Sequence, residues 1–226
     1  MFVKICGITS EEDALLAVAM GADAIGFLLA PSKRQITATR ARDIAARLPP
    51  EVLTVGVFRN ELKERVVELT HAAGLKAVQL HGHESAAESS WVSERVPMVI
   101  KAFVAGDPDI DRQAAYGAEV VHVEGKEPGS GVVFDWKLLD TRSRARILLA
   151  GGLGPDNVAS AIEHVRPWGV DVSTGVESSP GVKDPAKVRR FIAAAREAAA
   201  AIEPVEEEVG VGAVEDDPIY DWRDEP

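Results

Sequence analysis

Eight short runs rich in β-branched and aromatic residues alternate with longer runs carrying apolar residues at helical spacing, and this alternation limits the chain to very few folds. The strand runs are Phe2 to Cys6, Asp23 to Leu29, Val52 to Phe58, Ala77 to Leu80, Met98 to Val104, Glu119 to Val123, Arg146 to Ala150 and Val170 to Val172. Between them, Leu15, Leu16, Val18 and Ala19, and then Val66, Val67, Leu69 and Ala72, mark helical faces. Several helix ends are signalled by side chains. Ser10 with Asp13 three residues on resembles a capping box, and Gly21 and Gly74 suit the position after a helix end. Pro155 suits the first turn of a helix over 157–165, and Asp184 caps a last helix reaching about Ile202. Such repeats give parallel strands joined by right-handed crossovers, and closing the sheet removes its edges. The expected architecture is a single-domain (β/α)8 TIM barrel over residues 1–203, with a doubly wound open sheet as the alternative.

The 226 residues carry a formal charge of −11, which argues against nucleic-acid and anionic-membrane partners. From Glu203 onward ten acids face one base, Arg223, a net of −9 that leaves −2 for residues 1–202. With two glycines and few apolar residues, 204–226 reads as an acidic, disordered tail in which Ile219, Tyr220 and Trp222 form a cluster suited to docking. Cys6 is the only cysteine, so no intrachain disulfide is available. The N-terminus lacks the apolar core and cleavage site of a signal peptide, and no apolar run approaches the roughly 20 residues of a spanning helix. A soluble cytoplasmic protein is expected, monomeric in preference to homodimeric for want of an evident apolar patch.

In a parallel barrel the ligand lies at the carboxyl ends of the strands. Two-residue alternation puts Phe2, Lys4 and Cys6 on one face of the first strand, pointing inward. A buried lone thiol is either a small apolar filler or, beside the Lys4 ammonium, a thiolate. Lys4 needs a partner once buried, and Asp171 on the eighth strand supplies one. The second strand leads into Lys33 and Arg34, which are solvated cations or, for Arg34, a clamp on a substrate carboxylate. Gln79 and His81 share a face at the end of the fourth strand, as do His122 and Glu124 on the sixth. Glu124 there is a general acid or merely a loop-end charge. Gly151-Gly152-Leu153-Gly154 and Ser173-Thr174-Gly175 follow the last two strands, where barrels bind phosphate on exposed peptide N–H groups, so a small phosphorylated ligand is expected. Cys6, His81, His122 and Glu124 are ligand-type side chains, but their spacing reflects strand ends rather than a compact metal motif, and no metal is expected.

Seven ordered blocks point to one family: Lys4-Ile5-Cys6-Gly7-Ile8-Thr9, Val55-Gly56-Val57-Phe58, Gln79-Leu80-His81-Gly82, Gly129-Ser130-Gly131, Phe134-Asp135-Trp136, Ala150-Gly151-Gly152-Leu153, and Gly169-Val170-Asp171-Val172-Ser173 through Lys183-Asp184. Over roughly residues 2–202 the chain resembles phosphoribosylanthranilate isomerase of tryptophan biosynthesis. The resemblance implies an Amadori rearrangement of N-(5-phosphoribosyl)anthranilate to 1-(2-carboxyphenylamino)-1-deoxyribulose 5-phosphate, without metal or organic cofactor. It implies Cys6 as the base that removes the sugar C2 proton and Glu124 as the acid that protonates the furanose oxygen. Arg34 then receives the anthranilate carboxylate, Gly152, Ser173 and Gly175 hold the phosphate by backbone N–H, Asp171 lies beneath the sugar hydroxyls, His81 faces the substrate, and Lys4 acts electrostatically.

The chain departs from the family pattern at the acid. Glu124 followed by Gly125 stands where the family has aspartate and a small hydroxylated residue, and His122 stands where the layer below is aliphatic. Glutamate keeps the acid chemistry but displaces it by one methylene, with Asp135 and Glu127 as reserves. Two rival readings are a bifunctional isomerase also acting on the histidine-pathway aminoimidazole carboxamide ribonucleotide and a non-catalytic phosphate-binding relic. Relatives of the first kind carry aspartate as base where this chain has Cys6.

Overall fold

The structure is a computed structural model describing residues 1–125, 134–139 and 145–202. The expected tail over 204–226 with Ile219, Tyr220 and Trp222, the Gly129-Ser130-Gly131 block and Glu127 lie outside the described residues.

Strands β1 (Phe2–Cys6), β2 (Ala24–Leu28), β3 (Leu53–Phe58), β4 (Ala77–Leu80), β5 (Val99–Val104), β6 (Val120–Glu124), β7 (Arg146–Leu149) and β8 (Gly169–Val172) form a closed parallel barrel in sequence order. Every boundary falls within one residue of the expected run. Lys4 on β1 pairs with Ala24 on one side and Asp171 on the other, which closes the sheet and excludes the open alternative.

The period of two sorts the side chains. Val3, Ile5, Ile25, Phe27, Val170 and Val172 point outward into the layer shared with the helices. Ala24, Val55, Ala77, Ile100, Val120 and Leu148 fill the lower barrel, and Phe2 stacks on Trp168 at 4.4 Å beneath them. Two residues further along several strands the interior turns polar, through Lys4, Gln79, His122 and Asp171, all buried. An apolar floor under a polar mouth is therefore written into the register.

The helices are α1 (Glu11–Ala19), α2 (Ala38–Ala45), α3 (Lys63–Ala73), α4 (Ala86–Ser93), α5 (Val158–Val165) and α6 (Pro185–Ala201). Ser10 Oγ accepts the Asp13 N–H at 3.1 Å, but the Asp13 carboxylate turns to the Lys183 N–H, so the expected capping box is half made. Asp184 caps α6 by accepting from Ala186 and Lys187 N–H. Pro155 sits in the turn ahead of α5 rather than inside it, because Asn157 occupies the N-cap.

Among the described residues, the crossovers after β5 and β6 show 3-10 turns and no α-helix. After β5 the chain makes 3-10 turns over Pro108–Tyr116, interrupted at Arg112 (φ −113°, ψ 19°), and after β6 the described residues include a short 3-10 turn, Trp136–Leu139. Only Ile110 of the first segment is buried, too little apolar surface to stabilise an amphipathic helix. After β8 a small hairpin, β9 (Glu177–Ser179) and β10 (Val182–Lys183), is added that the strand pattern did not predict. No helix among the described residues is long and apolar enough to cross a membrane.

Candidate active site

At the top of β1, Lys4 Nζ donates to Asp171 Oδ2 at 2.9 Å, the pairing expected from sequence. His122 Nε2 lies 3.0 Å from the same oxygen. Burial pushes the Asp171 carboxyl up, but Lys4 and the His122 hydrogen bond outweigh it and hold the group well below the ordinary carboxylate range. For Lys4, burial acts downward and is overcome by the negative charges of Asp171 and Cys6, so the ammonium is secured. Cys6 goes the other way. Burial raises its thiol above 9.0 and Lys4 offsets this only in part, so the neighbouring ammonium does not make a resting thiolate. Space for the pair comes from β2: a Cβ on Gly26 would stand 2.7 Å from Cys6 Sγ and 3.2 Å from Lys4 Cε.

Glu124 ends β6 with a buried side chain, hydrogen-bonded from Oε1 to His81 Nε2. Gln79 Nε2 lies 2.9 Å from His81 Nδ1, an amide donor that leaves Nε2 as the protonated nitrogen facing the carboxylate. Burial pushes Glu124 up, but this hydrogen bond and the two imidazoles outweigh it, and the carboxyl settles below 4.5. Asp135 is exposed and accepts the Lys137 N–H at 3.1 Å, capping its own turn.

A cavity of about 190 Å³ opens over β7 and β8, lined by Gly151, Gly152, Leu153, Asp171, Val172, Ser173, Thr174 and Gly175. The three residues expected at the phosphate thus share one cavity with Asp171. Gly152 adopts φ 66°, and a Cβ on Gly175 would meet Leu153 O at 2.0 Å, so close approach of the two loops requires glycine there. Asp171 Oδ1 and Ser173 Oγ are buried in this region without hydrogen-bond partners, acceptors and donors left for a ligand.

Arg34 is brought to the same rim, but its fork is engaged. Nε and Nη2 donate to the two Glu177 oxygens at 2.7 and 2.6 Å, and Nη1 has no partner among the described residues. Lys183 Nζ joins the network, donating to Glu177 Oε1 at 3.0 Å and to Cys6 O at 2.7 Å. Sequence reasoning gave Glu177 and Lys183 no role, since their partners lie 143 and 177 residues away. Asn157 was missed too. Its Oδ1 accepts from Gly154 N–H at 2.8 Å and its Nδ2 donates to Gly152 O at 2.9 Å, clasping the β7 loop.

A family model for N-(5'-phosphoribosyl)anthranilate (PRA) isomerase matches residues 3–194. The chain belongs to the PRA isomerase family. The PRA isomerase of Desulforudis audaxviator is 48% identical over 204 residues, covering 87% of this chain and 98% of that protein. Among solved structures, the enzyme from Thermus thermophilus superposes with a TM-score of 0.80 at 42% identity, covering 87% of this chain and 99% of that one. A PRA isomerase bound to reduced 1-(o-carboxyphenylamino)-1-deoxyribulose 5-phosphate superposes at 0.77 with 43% identity and the same coverage.

Proposed function

We propose that the chain isomerises N-(5-phosphoribosyl)anthranilate to 1-(2-carboxyphenylamino)-1-deoxyribulose 5-phosphate at the carboxyl end of its barrel, with Cys6 as base and Glu124 as acid. The observation that carries this reading is one mouth holding a buried thiol, a buried acid and a glycine-walled cavity with orphaned polar atoms. The substrate phosphate is cradled by N–H groups of Gly152, Ser173 and Gly175, and Asp171 Oδ1 accepts from the sugar hydroxyls. Arg34 presents its unengaged Nη1 edge to the anthranilate carboxylate while Glu177 fixes the guanidinium plane.

The His81–Glu124 pair delivers a proton to the furanose oxygen, the ring C–O bond breaks, and the nitrogen lone pair forms an iminium. Cys6 thiolate then takes the C2 proton and the C–H electrons neutralise the iminium, giving an enolamine that tautomerises to the ketone. His81 holds Glu124 through its Nε2–Oε1 hydrogen bond, which favours the ionised carboxylate of the free protein, and Lys4 stabilises the developing thiolate. The chain acts as a monomer in the cytoplasm, consistent with its scattered exposed apolar residues Leu15, Leu62, Leu138 and Val182 and its single free Cys6.

Complementation of a tryptophan auxotroph lacking this isomerase tests the activity. Growth is expected; failure of a soluble, folded protein to support growth removes the reading in favour of a phosphate-binding relic.

A further inference from the structure

His81, His122 and Glu124 bring one nitrogen or oxygen each to within 4.8 Å of one another at the barrel mouth. Cys6 is outside this group, so three of the four ligand-type residues noted in the sequence converge. His122 is the decisive member. It is 1% exposed, its Nε2 is held by the Asp171 carboxylate at 3.0 Å, and its Nδ1 is buried with no hydrogen-bond partner. An ionised carboxylate on one imidazole nitrogen fixes the proton there and leaves the lone pair on the other, the outer-shell arrangement common behind metal-bound histidine. A neutral buried nitrogen without a donor is otherwise a net cost to folding.

We propose that His122 Nδ1, a ring nitrogen of His81 and the Glu124 carboxylate form a binding site for a divalent transition cation of the zinc type. Two imidazoles and one carboxylate suit such an ion and leave a coordination position for water. Ligand bonds of about 2.0–2.2 Å require the three atoms to draw closer than they stand. His81, 21% exposed at the rim, and the long Glu124 side chain supply that movement. The cation displaces the His81–Glu124 hydrogen bond and occupies the carboxylate, so it opposes proton transfer rather than assisting it. That consequence rests on the proposed acid role of Glu124; the binding itself does not.

Cobalt(II) titrated into the chelator-treated full chain, followed by visible absorption, is the test. One equivalent with ligand-field bands is expected, and zinc should abolish them by displacement. His122→Leu removes the bands, the milder His81→Asn weakens binding, and Asp171→Asn weakens it by about 10–100-fold through the lost outer-shell bond. His71→Asn and His164→Asn, on the exposed surface, leave it unchanged. Absence of the bands, their persistence in a folded His122→Leu protein, or an undiminished cobalt affinity in a folded His81→Asn protein overturns the site. Binding without inhibition of turnover keeps the site and removes Glu124 as the acid.

Discussion

Glu124 and Cys6 are displaced in opposite directions, the carboxyl below 4.5 and the thiol above 9.0. At neutral pH the free protein therefore holds an ionised acid and a protonated base, the reverse of what the reaction needs. Between those limits the pair carries one proton in total, and the reactive arrangement is a constant small fraction of that state. Thus kcat/KM, after allowance for the substrate phosphate, should be flat through neutral pH, falling in acid where Glu124 also takes up a proton and in alkali where Cys6 also loses one. A steady climb through neutral pH would show that Cys6 alone sets the rate. Removing the proton source by Glu124→Gln should lower kcat by about 10²–10⁴-fold, measured by the change in anthranilate fluorescence. Glu124→Asp retracts the acid by one methylene, and a shift near 1 Å costs about 100-fold. Because His122 packs in the layer beneath, Glu124→Asp with His122→Leu should recover activity lost in Glu124→Asp alone, a coupling that additive effects forbid.

Among elements, those decided by local pattern were legible and those decided by distant partners were not. The strands show it plainly: alternation alone placed Lys4 against Asp171, because register follows from which face is apolar. After β5, Asp107 caps a segment opened by Pro108, yet it kinks at Arg112 because too little of it is buried. Arg34 was legible as a cation at the mouth, but not as half of an Arg34–Glu177 fork, since β9 is built from a loop with no strand signature. The β7 loop was legible from its glycines, while its clasp by Asn157 was hidden behind Pro155, the more conspicuous helix signal. Asn157→Ala leaves Gly154 N–H and Gly152 O without these partners and loosens the loop that faces the phosphate. KM should rise with kcat little changed, since the phosphate is bound equally in ground and transition states. A fall in kcat at unchanged KM would place Asn157 in the chemistry instead.

For the molecule as a whole, the charge divides along the same line as the family match. Residues 1–202 carry −2 and the remainder −9, and the family model ends at residue 194, inside α6. A nearly neutral barrel draws an anionic substrate through local donors, the Arg34 edge and the glycine loops, without a basic surface. Ten acids added to such a barrel raise its net charge and hence its solubility, but at physiological ionic strength fields between exposed charges are screened over about 8 Å. If residues 203–226 contribute only that field, a chain ending at Ile202 retains its kcat, and its KM is lower by a margin that vanishes as salt is raised. A salt-independent loss of turnover in a truncated protein with an unchanged melting temperature would show instead that the segment makes a contact at the mouth of the barrel.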